Sequence, residues 1–105
     1  MSTVKVTTTL PTSWKEFEVG EWCQTFLSEK IVACIQFERV RSMFSWNESI
    51  HSEEEWRITL TSTIDSVTKL VNLLEENHPY DVPQITWHAV NTGKLYGDWV
   101  KEEIE

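Results

Sequence analysis

The side chains in this sequence best suited to holding a transition metal are two cysteines, Cys23 and Cys34, and three histidines, His51, His78 and His88. Thiolates suit Cu(I) and imidazoles suit Cu(II) or zinc, so copper is the metal such a set favours. No two of these residues have the spacing of Cys-x-x-Cys or His-x-x-x-His, so the local sequence assembles no ready-made chelate. Cys34 lies in the apolar run 31–35 and Cys23 on the apolar face of a helical stretch, where a thiol behaves as a small hydrophobe. His78 fits two roles: a neutral imidazole ligand, or a cap near the last carbonyls of a helix that must stop before Pro79. His51 stands among Glu48, Glu53, Glu54 and Glu55, a set that either attracts divalent cations loosely or forms a solvated acidic loop.

Trp46, Tyr96 and Trp99 are aromatics of the kind that line clefts and interfaces when they are not core. Arg39, Arg41 and Arg57 fall near the three consecutive glutamates, and cross-strand ion pairing is a sufficient account of them. Catalysis would require a nucleophile with a base, a carboxylate pair with split pKa values, or a cofactor loop. The sequence holds no glycine-rich phosphate loop, no Gly-x-Ser-x-Gly and no catalytic Cys/His motif, so a non-enzymatic role is expected.

Those residues sit in a chain of 105, 40% hydrophobic, which suits one domain over residues 1–105. Acidic residues outnumber basic ones 17 to 9, for a formal net charge of -8 at pH 7. That charge repels phosphate backbones and anionic membrane surfaces, and makes cations or basic partners more natural company. Six tryptophans and frequent β-branched residues argue against disorder. No run is long enough to span a bilayer, and the first residues lack the apolar stretch of a secretory signal, so a cytoplasmic protein with reduced thiols is expected.

Elements follow from periodicity. Residues 3–9 are rich in β-branched types and read as a strand closed by Pro11. Ser13 with Glu16 fits a capping box, and Val19, Trp22, Cys23, Phe26 and Leu27 then mark one helical face. From Ile31 the pattern is strand-like. Ile35 and Phe37 alternate, then Val40, Ser42, Phe44 and Trp46 alternate in the opposite phase, which predicts a β-bulge near Glu38 and Arg39. A turn at 47–49 leads to a strand with Trp56, Ile58 and Leu60 on one face, the hairpin partner of the second. Val67, Leu70, Val71 and Leu74 give a second helix ending at His78-Pro79. A fourth strand covers 84–90, and Leu95, Tyr96, Trp99, Val100 and Ile104 form a last helix. The order β-α-β-β-α-β plus a tail helix predicts an α+β, ferredoxin-like sandwich, with two helices on one sheet face. The other face, carrying apolar residues of the second strand, predicts self-association.

At His78-Pro79-Tyr80-Asp81-Val82-Pro83-Gln84-Ile85 the chain resembles the His-Pro-Tyr-x-x-Pro-x-Ile segment of the CutA divalent-cation-tolerance family. Lys30-Ile31-Val32-Ala33-Cys34-Ile35 is similar to the family's Leu-Ala-Ala-Cys-Val strand, and Ser42-Met43-Phe44-Ser45-Trp46-Asn47-Glu48 to its Ser-x-Tyr-x-Trp-x-Gly hairpin. Tyr96-Gly97-Asp98-Trp99 matches its Tyr-x-x-Trp. The resemblance implies a ferredoxin-like subunit in a homotrimer with clefts between subunits, cytoplasmic and linked to tolerance of copper and other divalent metal ions. Cys34 matches the family's cysteine, so Cys34 and His78 are the expected metal ligands, with no cofactor required. The family's architecture is similar to that of PII-type signalling proteins. This implies an alternative, a small-molecule sensor or scaffold that answers to another protein, with Trp46, Glu48, Glu55, Tyr80 and Trp99 lining the cleft. Two departures are visible. The hairpin glycine after Trp46 is missing, with Ser49 the nearest small residue, so a differently shaped turn is expected. The family's lysine after the third strand is absent at Leu60-Thr61-Ser62, which argues against an anion-binding role for the cleft.

Overall fold

The computed structural model describes residues 2–104. Its elements run β1 (Thr3–Pro11), α1 (Glu16–Ser28), β2 (Cys34–Trp46), β3 (Ser49–Thr63), a 3-10 turn (Ile64–Ser66), α2 (Val67–Glu76), β4 (Ile85–Val90) and α3 (Lys94–Glu103). The four strands form one antiparallel sheet in the order β2-β3-β1-β4, so β1 and β3, the two strands that carry fully buried residues, take the protected centre. This is the expected α+β arrangement.

Alternation decides which face is core. Val4, Val6 and Leu10 of β1 lie level with Ser62, Leu60 and Trp56 of β3, and these apolar residues are buried with Val19, Cys23 and Phe26 of α1 and Leu70 and Leu74 of α2. Burying each such side chain contributes about 1.5–3 kcal/mol, which outweighs the weak helix propensity of short α2. The helix starts differ from expectation. A turn closed by Trp14 N–H donating to the Pro11 carbonyl at 3.1 Å takes up Ser13, and α1 begins after Lys15, whose backbone N–H donates to the Glu18 carboxylate at 2.8 Å. The expected Ser13/Glu16 box is thus replaced by half a box two residues on, because a lysine ammonium cannot accept the return bond.

The second sheet face is less bare than expected. A row of Cys34, Thr61, Lys5 and His88 crosses all four strands on that face. Lys5 Nζ donates to Thr61 Oγ1 at 2.7 Å and lies 5.7 Å from the Tyr96 ring centre, so α3 packs over this end of the face. Thr3, Thr61, Thr63 and Val100 are accordingly buried.

The β2–β3 ladder is unbroken from Cys34↔Thr61 to Trp46↔Ser49, so there is no bulge at Glu38 or Arg39. The apolar phase changes because the surroundings change. Ile35 and Phe37 face the helices, whereas past Pro11, the last β1 residue paired with β3, the hairpin continues as a two-stranded arm whose Phe44 and Trp46 lie on the second face. Asn47 and Glu48 close the arm with φ of 50° and 63°. Two central residues at positive φ in a two-residue loop mark a type I′ turn, so Glu48 occupies a conformation that glycine adopts without steric cost.

Candidate functional site: a cleft at the base of the hairpin arm

The loop after α2 is built on His78. Asn77, not His78, closes the helix: its side-chain Nδ2–H donates to the Leu73 carbonyl at 2.9 Å. His78 Nδ1 accepts the Tyr80 backbone N–H at 3.1 Å, and because that amide can only donate, the ring proton resides on Nε2, 3.0 Å from Thr8 Oγ1. Burial pushes the imidazole pKa below its usual value, although the Thr9 backbone and the Glu55 charge pull upward. Trp22 packs edge-on against the ring and donates its indole N–H to the Asn77 carbonyl at 3.0 Å.

This scaffold directs Tyr80 across to β3. Its hydroxyl donates to Glu55 Oε2 at 2.8 Å, and burial, then that bond and the charges of Glu55 and Glu53, raise its pKa so that it stays a donor. Between Tyr80 and the arm lies an open cleft of about 590 Å³. Trp46, Glu55 and Tyr80, three of the expected cleft residues, line it; Glu48 at the arm's turn and Trp99 on α3 do not. Trp99 instead packs near Tyr96, ring centres 5.7 Å apart.

Phe44, His51, Glu53 and Asp81, with Met43 and Val82, add to the walls. His51 and Glu53, expected on a solvated tip, lie within β3, with His51 stacked on Phe44 at 5.4 Å and 16° between planes. The signal that could have found them was the alternation of Ser42, Phe44 and Trp46, which in register places Glu53, His51 and Ser49 opposite. Arg39 and Arg57 pair across strands as expected. Arg57 Nε donates to Glu38 Oε1 at 2.9 Å, while Arg39 stacks 4.1 Å from the Trp56 ring centre, donates to Thr12 and pairs with Glu54 at 3.9 Å.

The two expected metal ligands are not brought together within the chain. Cys34 is half-buried on the second face, whereas His78 bonds Thr8, which lies level with Ile58 on the helix side. Their strand positions differ by three residues of β1, about 10 Å along the sheet. Both ring nitrogens of His78 are also engaged, so ligation would first break the loop's anchor. Cys23 is buried, and desolvation pushes its pKa up to about 12, the behaviour of a packing thiol. Among the described residues, no three His, Cys, Asp or Glu side chains converge as a metal site.

Residues 4–103 match the CutA1 divalent ion tolerance protein family. The chain is 28% identical over 102 residues to the divalent-cation tolerance protein CutA of Thermotoga maritima, covering 96% of this chain and 98% of that one. It is 31% identical over 101 residues to the CutA of Pyrococcus horikoshii, covering 95% and 96%. The crystal structure of CutA1 from Pyrococcus horikoshii superposes with a TM-score of 0.87 at 30% identity over 97% of this chain and 98% of the other. A CutA from Archaeoglobus fulgidus, described as periplasmic, shares the fold with a TM-score of 0.89 at 21% identity, covering 98% of this chain and 99% of that one.

Proposed function

This chain belongs to the CutA1 divalent ion tolerance family, and on that premise we propose that it works as a cytoplasmic homotrimer that binds divalent metal ions, copper foremost, and contributes to the response to them. The whole chain is one functional unit of that trimer, a binding protein and not an enzyme. The observation that carries this reading is the arm. Met43 and Ile50 are 72% and 80% exposed on a two-stranded ribbon that is marginally stable alone, a cost that copies packing on one another remove. Two free thiols fit a reducing compartment.

The donor set fits copper only as scattered pieces. Cys34 supplies a soft sulfur on the second face, and His78 supplies an imidazole on the other, so a chelate requires donors from a second copy or release of the His78 loop. Equilibrium titration of the metal-free protein with Cu(I) and Cu(II), beside Cys34→Ser and His78→Ala, tests this. Weakened binding in Cys34→Ser is the expected result, and binding unchanged in both variants would overturn the ligand assignment. A solution mass of three chains is expected at micromolar concentration.

A second reading is favoured by the cleft at Trp46, Glu55 and Tyr80: a sensor resembling PII-type proteins, in which a small molecule binds and a protein partner responds. The cleft's volume of about 590 Å³ falls within the range of about 300–1,000 Å³ common for small-molecule sites. Glu48 and Trp99, distant within one subunit, would join such a site only from neighbouring copies.

A further inference from the structure

Resting on the cleft reading above, we propose that the cleft at the base of the arm takes an organic cation, a molecule with an ammonium head and an apolar body. Three properties of the lining select that chemistry. The aromatic rings of Phe44, Trp46 and Tyr80 stand around the space, and the face of an aromatic ring attracts a cation. Carboxylates of Glu53, Glu55 and Asp81 line the same space, while among the described residues no lysine or arginine does. Arg57, on the same sheet face as Thr9, is held by Glu38 and leaves the cleft's field negative.

Glu55 is prepared for the task. Tyr80 takes only its Oε2, fixing the carboxylate while Oε1 keeps its acceptor capacity for a ligand. A phosphate-bearing ligand would meet three carboxylates and no cationic partner, which disfavours nucleotides. A bare divalent ion is disfavoured on different grounds. The acidic side chains and His51 do not converge three at a time on one point, and the cleft is far larger than an ion. A cation of extended shape meets the separated carboxylates and rings individually, which the layout permits.

The test is titration calorimetry on the full chain with four probes: choline, its neutral isostere 3,3-dimethylbutanol, benzyltrimethylammonium and benzenesulfonate, with ATP as a nucleotide control. The cationic probes are expected to bind at least about tenfold more tightly than the neutral isostere, and benzenesulfonate not at all. Glu55→Gln is expected to weaken benzyltrimethylammonium about tenfold while leaving the isostere unchanged. Trp46→Ala is expected to weaken the cationic probes and the neutral isostere alike, because it removes a wall and not a charge. Equal affinity for choline and its isostere, or a Glu55→Gln variant with undiminished cation binding, would overturn the proposal. Binding of ATP or the sulfonate that depends on Trp46, without cation binding, would overturn the cation assignment and leave the cleft reading standing. Silence from every probe would overturn both.

Discussion

In the proximal half of the β2–β3 hairpin, Ile58 and Leu60 are fully buried between β1 and the two helices, whereas in the distal half Met43 and Ile50 are 72% and 80% exposed. The two halves share one continuous register and a similar supply of apolar side chains. What separates them is the end of β1 at Pro11: up to that point β3 has neighbours on both sides, and beyond it only β2. The same pattern of alternation therefore means core in one half and a surface for something else in the other. A period-2 pattern reports which residues share a face, not whether that face is covered within the subunit.

The largest expected effect breaks the proximal half. Leu60→Ala removes a side chain with no exposure from the middle of the core cluster and should cost about 2–5 kcal/mol in denaturant unfolding. The effect of His78, which anchors the loop bordering both regions, is smaller. Its folded pKa lies below the ordinary 6.5, so the folded chain holds the imidazole proton less tightly than the unfolded chain. The stability this confers is complete above pH 6.5 and is lost as pH falls from there toward the lower folded value. Urea midpoints measured above and below pH 6.5 should therefore drop more in the parent than in His78→Gln. At the higher pH that variant should already have lost about 1 kcal/mol for each hydrogen bond it fails to replace.

At the tip of the arm, Glu48 holds φ of 63°. Replacing it with glycine removes the Cβ clash of the left-handed conformation and should stabilise the hairpin by about 1 kcal/mol, whereas Glu48→Ala, which keeps the Cβ, should gain nothing. Thermal unfolding of the two variants side by side checks the sign.

Most elements were legible because each buries an apolar face at its own period: the helix face at Val19, Cys23 and Phe26 and the strand face at Trp56, Ile58 and Leu60 are buried as expected. The bulge was misread because a change of phase in sequence has two physical causes, an extra residue or a change of environment, and the pattern looks the same in both. In the cleft, Trp46, Glu55 and Tyr80 were legible, while Phe44, His51 and Glu53 became so only with the hairpin register, which depends on a turn of two residues and not three. His78 could be singled out from its place before Pro79, but its work in fixing Tyr80 depends on Thr8, seventy residues away, and no local pattern carries that.

The substitution expected to disturb the subunit's fold least is the one that sharpens the comparison most. Met43 and Ile50 lie toward one face of the arm, opposite Ser52 and Ser45, with nothing of their own chain to cover them. Exposed substitutions of this kind usually change subunit stability by no more than about 0.5 kcal/mol each, so Met43→Ser with Ile50→Ser should leave the far-ultraviolet circular dichroism spectrum unchanged. If the distal half is an assembly surface, the same double variant should fall from three chains to one in sedimentation or light scattering, because the burial it removes lies between copies. The control is a polar change on the proximal second face, Gln36→Ser, which lies on the same strand inside the four-stranded region and should alter neither measurement. A trimer mass that survives the double variant would mean that Met43 and Ile50 do not hold the copies together, and the assembly surface would then be sought along the exposed β4 edge, where Trp87 is 48% exposed.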